Sequence, residues 1–175
     1  ARTLVRIGQI DIPNCRYICF DGEYAYVSSY AGPVQIDPNA RLGYVAKIDI
    51  RSLQVVDTCT VGYQPDELVV SDGRIYVANS GGYRVPNYDR TVSVIDIASF
   101  RVVETIDVAI NLHRMEVDKR GYVWVSSRGD YYGRGSKTFV IDTKGNEVCD
   151  SFEVANSEMT ISGDSLYIIG SEWSY

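Results

Sequence analysis

The sequence has 175 residues, of which 45% are hydrophobic and 23% are charged, and its formal net charge is −6. This composition is typical of a globular domain with a sizeable core. The negative charge and the lack of a Lys/Arg cluster argue against a nucleic-acid partner, because phosphate binding needs a concentrated basic surface. No apolar run reaches the roughly 18 residues that a membrane span requires.

From the N-terminus onward, the sequence repeats one pattern. An opening run, LVRIGQIDI, matches the run that closes each later repeat. Three full copies follow, and each contains a glycine, an aromatic-rich run, a run ending in Ile-Asp and a run that closes on valine. The glycines are Gly22, Gly73 and Gly121, and the closing valines Val61, Val108 and Val154 are about 47 residues apart. A period of this length indicates a repeat architecture.

Each repeat contains four short runs of apolar, β-branched and aromatic residues, and none shows helical periodicity. In the second copy these runs are ELVVS, RIYVANS, TVSVIDI and RVVETIDV. They predict a four-stranded antiparallel meander, which is typical of a β-propeller blade. We therefore predict an all-β propeller of four-stranded antiparallel blades, about three and a half to four of which lie in this chain. Residues 1–12 would be the last strand of a preceding blade, 13–61, 62–108 and 109–154 three blades, and 155–175 the start of a further blade.

The second copy, IYVANS…TVSVIDIASFRVVETIDV, resembles the YVTN-type repeat of bacterial surface-layer-like β-propellers. In that family a YVAN-like second strand leads to a VSVID third strand and a V-V-x-T-I-x-V fourth strand. The match is strong in the second copy and partial in the first, the third and the truncated fourth, so it spans nearly the whole chain. The resemblance implies a larger ring of about seven blades. It also implies an exported protein of the bacterial cell surface or periplasm.

An open arc of blades would expose two apolar blade faces. At roughly 500 Å² per face and about 25 cal/mol per Å², each exposed face forfeits on the order of 10 kcal/mol. Few domains survive that loss. We expect these residues to belong to a longer polypeptide, or a second chain to supply the remaining blades. Closure as a four-bladed ring is the alternative.

The four cysteines are expected to be buried, reduced thiols. Cys15 and Cys19 lie in one predicted strand about 13 Å apart, which is too far for a disulfide. Cys59 and Cys149 fall on strands two repeats apart, and the spacing matches no zinc pattern.

The connections between second and third strands are long, and they all leave one face of the predicted ring, the long-loop face. Their sequences are YAGPVQIDPNARLG, GGYRVPNYDR and GDYYGRGSK. Long loops on a rigid scaffold usually carry binding sites, and Tyr and Arg are enriched at recognition surfaces. We predict ligand contacts from Tyr30, Tyr83, Arg84, Tyr88, Tyr131 and Tyr132. The alternative is that these side chains cap the blades and pack loop on loop.

The connections between fourth and first strands ring the central channel on the same face. Aligned on the glycines, Cys15, Asp66, Arg114 and Ser157 occupy comparable places. Four different side chains at one position predict a channel mouth shaped for an asymmetric ligand, and Asp66, His113 and Arg114 complete the predicted ligand-binding set. The alternative is a ring of solvated polar residues with internal ion pairs.

His113 is the only histidine of the sequence, so a Ser-His-Asp arrangement would depend on it alone. No G-x-S-x-G, H-E-x-x-H or paired-Cys motif accompanies it. These observations predict no enzyme, no cofactor and no metal site. An alternative is a metal-dependent lactonase or hydrolase in the channel, with oxygen ligands suited to calcium from Glu67, Asn111, Asn156 and Glu158.

Residues and resemblance together predict a non-enzymatic propeller that binds a small molecule, a glycan or a protein partner through the long-loop face and channel mouth. Relatives in fold include propeller lipoproteins that capture corrinoids, so the resemblance names a corrinoid as one possible ligand. No residue pattern transfers that ligand to this sequence. An envelope scaffold, in which every loop feature is packing, is the third possibility.

Overall fold

The computed structural model describes residues 3–170. This part of the chain is all-β and forms three four-stranded sheets and one two-stranded sheet, all antiparallel. The predicted propeller of four-stranded blades is confirmed, with about three and a half blades present. Within residues 3–170 no helix has the length and apolar character needed to cross a membrane.

The strands follow one another in chain order within each blade. The first blade comprises β1 (Cys15–Asp21), β2 (Tyr24–Ser29), β3 (Leu42–Asp49) and β4 (Gln54–Tyr63). The second comprises β5 (Pro65–Ser71), β6 (Arg74–Asn79), β7 (Thr91–Asp96) and β8 (Arg101–Asp107). The third comprises β9 (Leu112–Val117), β10 (Val123–Ser127), β11 (Lys137–Asp142) and β12 (Glu147–Phe152). The half blade contains β13 (Glu158–Ser162) and β14 (Ser165–Ile169).

Both faces of the second blade are buried, which explains its near-continuous apolar runs. Along β6, Ile75 and Val77 face the first blade, whereas Tyr76 and Ala78 face the third blade. Successive residues of a strand point to opposite faces of its sheet, so one run of apolar residues supplies two separate cores. On the side of the first blade, the Tyr26 ring stacks on Phe100 at 5.9 Å between centroids.

The Asp of each Ile-Asp motif ends the third strand and caps the following turn. The Asp49 side chain accepts hydrogen bonds from the Ser52 amide at 2.7 Å and the Ser52 hydroxyl at 2.9 Å. Asp96 does the same with Ser99 at 2.7 and 2.6 Å. These bonds lower the pKa of both carboxyls. The motif therefore closes the short turns opposite the long-loop face.

The first strands of successive blades lie side by side, with β5 between β1 and β9, and they line the channel. The hairpins that follow them differ in length, since Asp21 pairs with Tyr24 but Val117 pairs with Val123. The turn glycines also differ in position, since Gly22 is the first residue of its two-residue turn and Gly73 the second. The second residues of β1, β5 and β9 are Arg16, Asp66 and His113. This corrects the glycine alignment, which placed Cys15 and Arg114 beside Asp66.

Residues 3–12 form no strand, although 1–12 were predicted to be one; residues 1 and 2 lie outside the described residues. A strand forms by pairing with a neighbour, and no described strand runs beside this segment. Ile10 and Ile12 pack instead against Ala25 and Val27 of β2.

The cysteines are all free, but only part of the expected burial is present. Cys59 is buried and Cys19 half-buried, and burial raises the pKa of the Cys19 thiol to about 12. Cys15 and Cys149 are exposed: Cys15 is the first residue of β1, and Cys149 lies in β12, every residue of which is exposed.

Candidate functional site

Each long loop is hydrogen-bonded to the residue that precedes the first strand of its blade, at the channel mouth. Asn14, Gln64 and Asn111 precede β1, β5 and β9, and all three adopt a left-handed backbone, with φ of 47°, 48° and 56°. Their side chains reach the loop beside them. Asn14 donates to the Gly32 carbonyl at 2.5 Å, Gln64 accepts from the Tyr83 amide at 2.7 Å, and Asn111 donates to the Gly129 carbonyl at 3.0 Å. The loops therefore start from fixed positions at the channel mouth.

The third-blade loop, residues 128–136 between β10 and β11, is closed further at its neck by serines. Ser127 donates to the Ile110 carbonyl at 2.7 Å and accepts from the Gly129 amide at 3.1 Å. Ser136 donates to the Ser127 carbonyl at 2.6 Å. Both ends of the loop are thereby held together where it leaves the blade.

Asp130 organises the tip of the third-blade loop. Its Oδ1 accepts hydrogen bonds from the amides of Tyr132, Gly133 and Arg134 at 3.0, 2.9 and 2.9 Å. These three donors hold the pKa of Asp130 at about 2. Gly129 has φ of +67°, and a Cβ at this position would lie 1.8 Å from the Arg134 carbonyl oxygen. The loop is thus a closed, pre-ordered structure that leaves Tyr131 and Tyr132 at its surface.

A cavity of about 700 Å³ lies between the third-blade loop and the connection from β12 to β13; we call it the long-loop pocket. Its size is that of small-molecule sites. The lining consists of His113, Arg128, Tyr131, Tyr132, Gly133, Arg134, Gly135, Ser136, Ala155, Asn156 and Ser157. The wall therefore combines two arginines with two tyrosines and contains no acidic side chain.

Two buried polar side chains, His113 and Asn156, line the long-loop pocket. His113 Nδ1 lies 2.7 Å from Ser126 Oγ, and burial, with Arg128 and Arg114 nearby, lowers the pKa of His113 to about 3. Its imidazole is uncharged at neutral pH. Asn156 donates through Nδ2 to Thr138 Oγ1 at 2.7 Å, while its buried Oδ1 has no partner among the described residues.

Asp66 joins three blades at the channel mouth. The residue is 0% exposed, and it accepts a hydrogen bond from the Tyr30 hydroxyl at 2.7 Å. Arg16 Nε lies 3.5 Å from its Oδ1, and Arg128 Nη1 lies 3.2 Å from its Oδ2. Burial, followed by the charge of Asp66, raises the pKa of Tyr30. Tyr30 and Asp66 thus occupy an internal network at the channel mouth.

One residue further along β9 than His113, Arg114 connects the third blade to the half blade and the first blade across the channel. It forms an ion pair with Glu158 at 2.8 Å, hydrogen-bonds the Tyr17 hydroxyl, and lies 4.9 Å from the centre of the Tyr17 ring. Glu67 accepts from the Met115 amide at 2.8 Å, and burial raises the pKa of Glu67 to about 7.

The four residues named for a channel metal have separate partners. Glu67 binds the Met115 amide, Glu158 binds Arg114, Asn111 binds Gly129, and Asn156 binds Thr138. Within residues 3–170, no three His, Cys, Asp or Glu side chains form a group that could hold a metal ion.

The second-blade loop, residues 80–90 between β6 and β7, packs two predicted ligand residues against residues of the first blade and its loop. The Arg84 guanidinium lies 3.6 Å from the Tyr63 ring centre and donates to the Asn87 carbonyl at 2.8 Å. The Tyr83 ring meets the Tyr30 ring edge-on at 6.3 Å. Tyr88 is half-buried, and burial together with nearby Tyr131 raises its pKa.

Of the nine predicted ligand residues, the long-loop pocket gathers His113, Tyr131 and Tyr132. Tyr30, Asp66 and Arg114 belong to the channel networks, and Tyr83, Arg84 and Tyr88 to the second-blade loop. The pocket also contains Arg128, Arg134 and Asn156, which the predicted set omits. The arginines flank the tyrosines in RGDYYGR, so the loop sequence could have predicted both arginines as site residues.

Three solved structures with this fold are similar to the chain. Kuenenia stuttgartiensis hydrazine synthase matches with a TM-score of 0.63 and 22% identity, over 83% of this chain and 37% of that one. Dihydro-heme d1 dehydrogenase NirN in complex with DHE matches with a TM-score of 0.56 and 17% identity, over 85% of this chain and 30% of that one. The WD40 β-propeller domain of Doa1 matches with a TM-score of 0.50 and 10% identity, over 81% of this chain and 54% of that one. The protein is therefore of the β-propeller class, and it spans less than two thirds of each of these chains.

No model of a protein family matches the sequence, and a comparison with curated proteins gives no match. The propeller fold is thus shared with solved structures, while the finer YVTN assignment has no family match behind it. At identities below 25%, the structural likenesses describe the fold alone.

The prediction that this protein is not an enzyme is contradicted by the structural neighbours. Hydrazine synthase and the dehydrogenase NirN are enzymes by name, and both contain a region of this fold. The prediction rested on missing catalytic motifs, but propellers host unrelated functions and need none of those motifs to form part of an enzyme. A role in an enzyme is therefore open for this fold.

Proposed function

We propose that this chain is the ligand-binding region of a β-propeller protein, and that the long-loop pocket receives a small molecule. The observation that carries the proposal is the combination of a cavity of about 700 Å³ with a lining loop whose tip is pre-ordered by its own hydrogen bonds. A pre-ordered site loses little conformational entropy when a ligand binds.

The two tyrosines of the third-blade loop support a ligand with a flat ring. Tyr131 is 61% exposed and Tyr132 is 92% exposed, although both are large and partly apolar. Tyrosine offers a broad contact at low entropy cost, and its ring favours stacking or edge contacts with another ring. A corrinoid, which the sequence resemblance suggests, is one member of this class.

Replacing both tyrosines tests the proposal. We expect the double variant Tyr131→Ala/Tyr132→Ala to bind 2-naphthoate and its neutral counterpart 2-naphthalenemethanol about tenfold more weakly, because each ring contact is worth about 0.5–1.5 kcal/mol. Fluorescence titration of the full protein measures both affinities, and thermal unfolding measures stability. The melting temperature should stay nearly unchanged, since both side chains are exposed.

Tyr167→Ala is the matched control, because Tyr167 is 59% exposed and lies on β14 outside the long-loop pocket. Its affinities should equal those of the unaltered protein. If neither probe binds the unaltered protein, or if the double variant binds both with full affinity, the proposed function is wrong.

A further inference from the structure

We infer that the ligand of the long-loop pocket carries a carboxylate beside its flat ring, and that Arg128 is the residue that binds this carboxylate. The inference deepens the proposed function and rests on it. It concerns the charge of the ligand, which neither the fold nor the solved neighbours specify.

The wall of the long-loop pocket is cationic, although the chain as a whole has a net charge of −6. Arg128 and Arg134 both line it, and none of its lining residues is acidic. The nearest carboxylate of the loop, Asp130, is turned into the loop and bound by three backbone amides. His113 is uncharged at neutral pH and so neither adds to nor offsets the arginines.

Arg128 shares its one carboxylate partner with another arginine. Asp66 is contacted by two guanidinium groups, those of Arg16 and Arg128, and its third partner is the neutral Tyr30 hydroxyl. The ion pair between Arg128 and Asp66 is therefore a shared one. A ligand carboxylate would give Arg128 a second anionic partner.

The geometry of Arg128 leaves donors available to a ligand. Its Nη1 contacts Asp66 at 3.2 Å, and within residues 3–170 this is the side chain's one hydrogen bond. The guanidinium has five N–H donors, so those on Nε and Nη2 remain. The side chain is 34% exposed and lines the pocket. An arginine anchored at one nitrogen is already oriented, which favours the paired hydrogen bonds that guanidinium makes with carboxylate.

A matched pair of probes separates this inference from the proposed function. 2-Naphthoate and 2-naphthalenemethanol share one ring system and differ in charge. We expect the unaltered full protein to bind 2-naphthoate at least tenfold more tightly at neutral pH, because hydrogen bonds to charged groups are the stronger ones. Equal binding of the two probes would overturn the inference and leave the proposed function standing, whereas binding of neither would overturn the proposed function.

The variant Arg128→Gln assigns the preference to its residue. We expect it to lose the preference for 2-naphthoate while its affinity for 2-naphthalenemethanol stays within about twofold, and Arg134→Gln to keep most of the preference. If Arg128 only joined the blades through Asp66, the variant would lose affinity for both probes equally.

Two further results bear on the assignment if Arg128→Gln does not fold. Arg128→Lys keeps the charge but not the planar fork, so it should fold and retain only part of the preference. Retention of the full preference by Arg128→Lys, or its loss in Arg134→Gln, would contradict the role given to Arg128.

Discussion

Among single residues, Glu67 differs from its neighbour Asp66 in how its charge is compensated. Asp66 has a tyrosine and two arginines around it, whereas Glu67 accepts one backbone hydrogen bond, from Met115. Burial is the main cause that raises the pKa of Glu67 to about 7. The charged form of this side chain is therefore disfavoured in the folded protein.

The raised pKa of Glu67 predicts a pH-dependent stability. An unfolded glutamate titrates near pH 4.3, so the folded protein binds the proton more tightly, and its stability falls as pH rises from about 4.3 to about 7. We expect Glu67→Gln to leave the stability nearly unchanged at pH 4 and to increase it at pH 8, by at most about 4 kcal/mol. Urea unfolding at both pH values measures this.

Glu153→Gln is the control for this prediction, since Glu153 is an exposed residue paired with Lys137. It should show no gain at pH 8. An equal effect of Glu67→Gln at pH 4 and pH 8 would mean that the Glu67 carboxyl does not carry the pH dependence.

Residue roles were the part least predictable from sequence. Tyr30 and Tyr131 both lie in Tyr-rich loops, but Tyr30 is buried against Asp66 while Tyr131 is exposed. The difference depends on which side chain the next blade presents, and that requires the three-dimensional arrangement. Composition alone favoured all the loop tyrosines equally.

At the scale of elements, the third-blade loop owes its shape to a left-handed glycine and an aspartate cap. We expect Gly129→Ala to displace the loop, because the added methyl would meet the Arg134 carbonyl oxygen and an alanine at φ of +67° is strained. Affinity for 2-naphthoate should fall at least tenfold, measured by fluorescence titration. Stability should change less than in a core variant, since the loop lies outside the blade cores.

Gly32→Ala provides the control, in the long loop of the first blade. A Cβ at Gly32 meets only the Tyr30 carbonyl oxygen, at 4.0 Å, its backbone is not left-handed, and it lies outside the lining of the long-loop pocket. This variant should bind 2-naphthoate as the unaltered protein does. Unchanged affinity in Gly129→Ala would show that the loop shape is not needed for binding.

The repeat predicted the strands, but the alignment on its glycines misplaced the residues at the channel mouth. The Ile-Asp motifs marked the ends of the third strands, because the aspartate caps each turn. The turn glycines differ in position, and the third hairpin, which runs from Val117 to Val123, is longer than the others. Pairing register, which decides which residues share a level, is not encoded in the position of one turn glycine.

For the molecule as a whole, the repeat predicted the propeller because a blade buries both faces only against other blades. The alternation of Ile75 and Val77 with Tyr76 and Ala78 between two cores is the structural basis of that repeat. The same scaffold occurs in hydrazine synthase, NirN and Doa1, so it does not specify a function. The candidate site of this chain is the long-loop pocket, whose arginines and tyrosines come from one loop.

The most direct test of that pocket is the mapping of backbone amide NMR shifts in the full protein during titration with 2-naphthoate. The account predicts that the largest shifts fall on Gly133, Gly135, Ser136 and Ser157, around the long-loop pocket. Shifts confined to the channel around Glu67 and Glu158, or no saturable shifts at all, would contradict it.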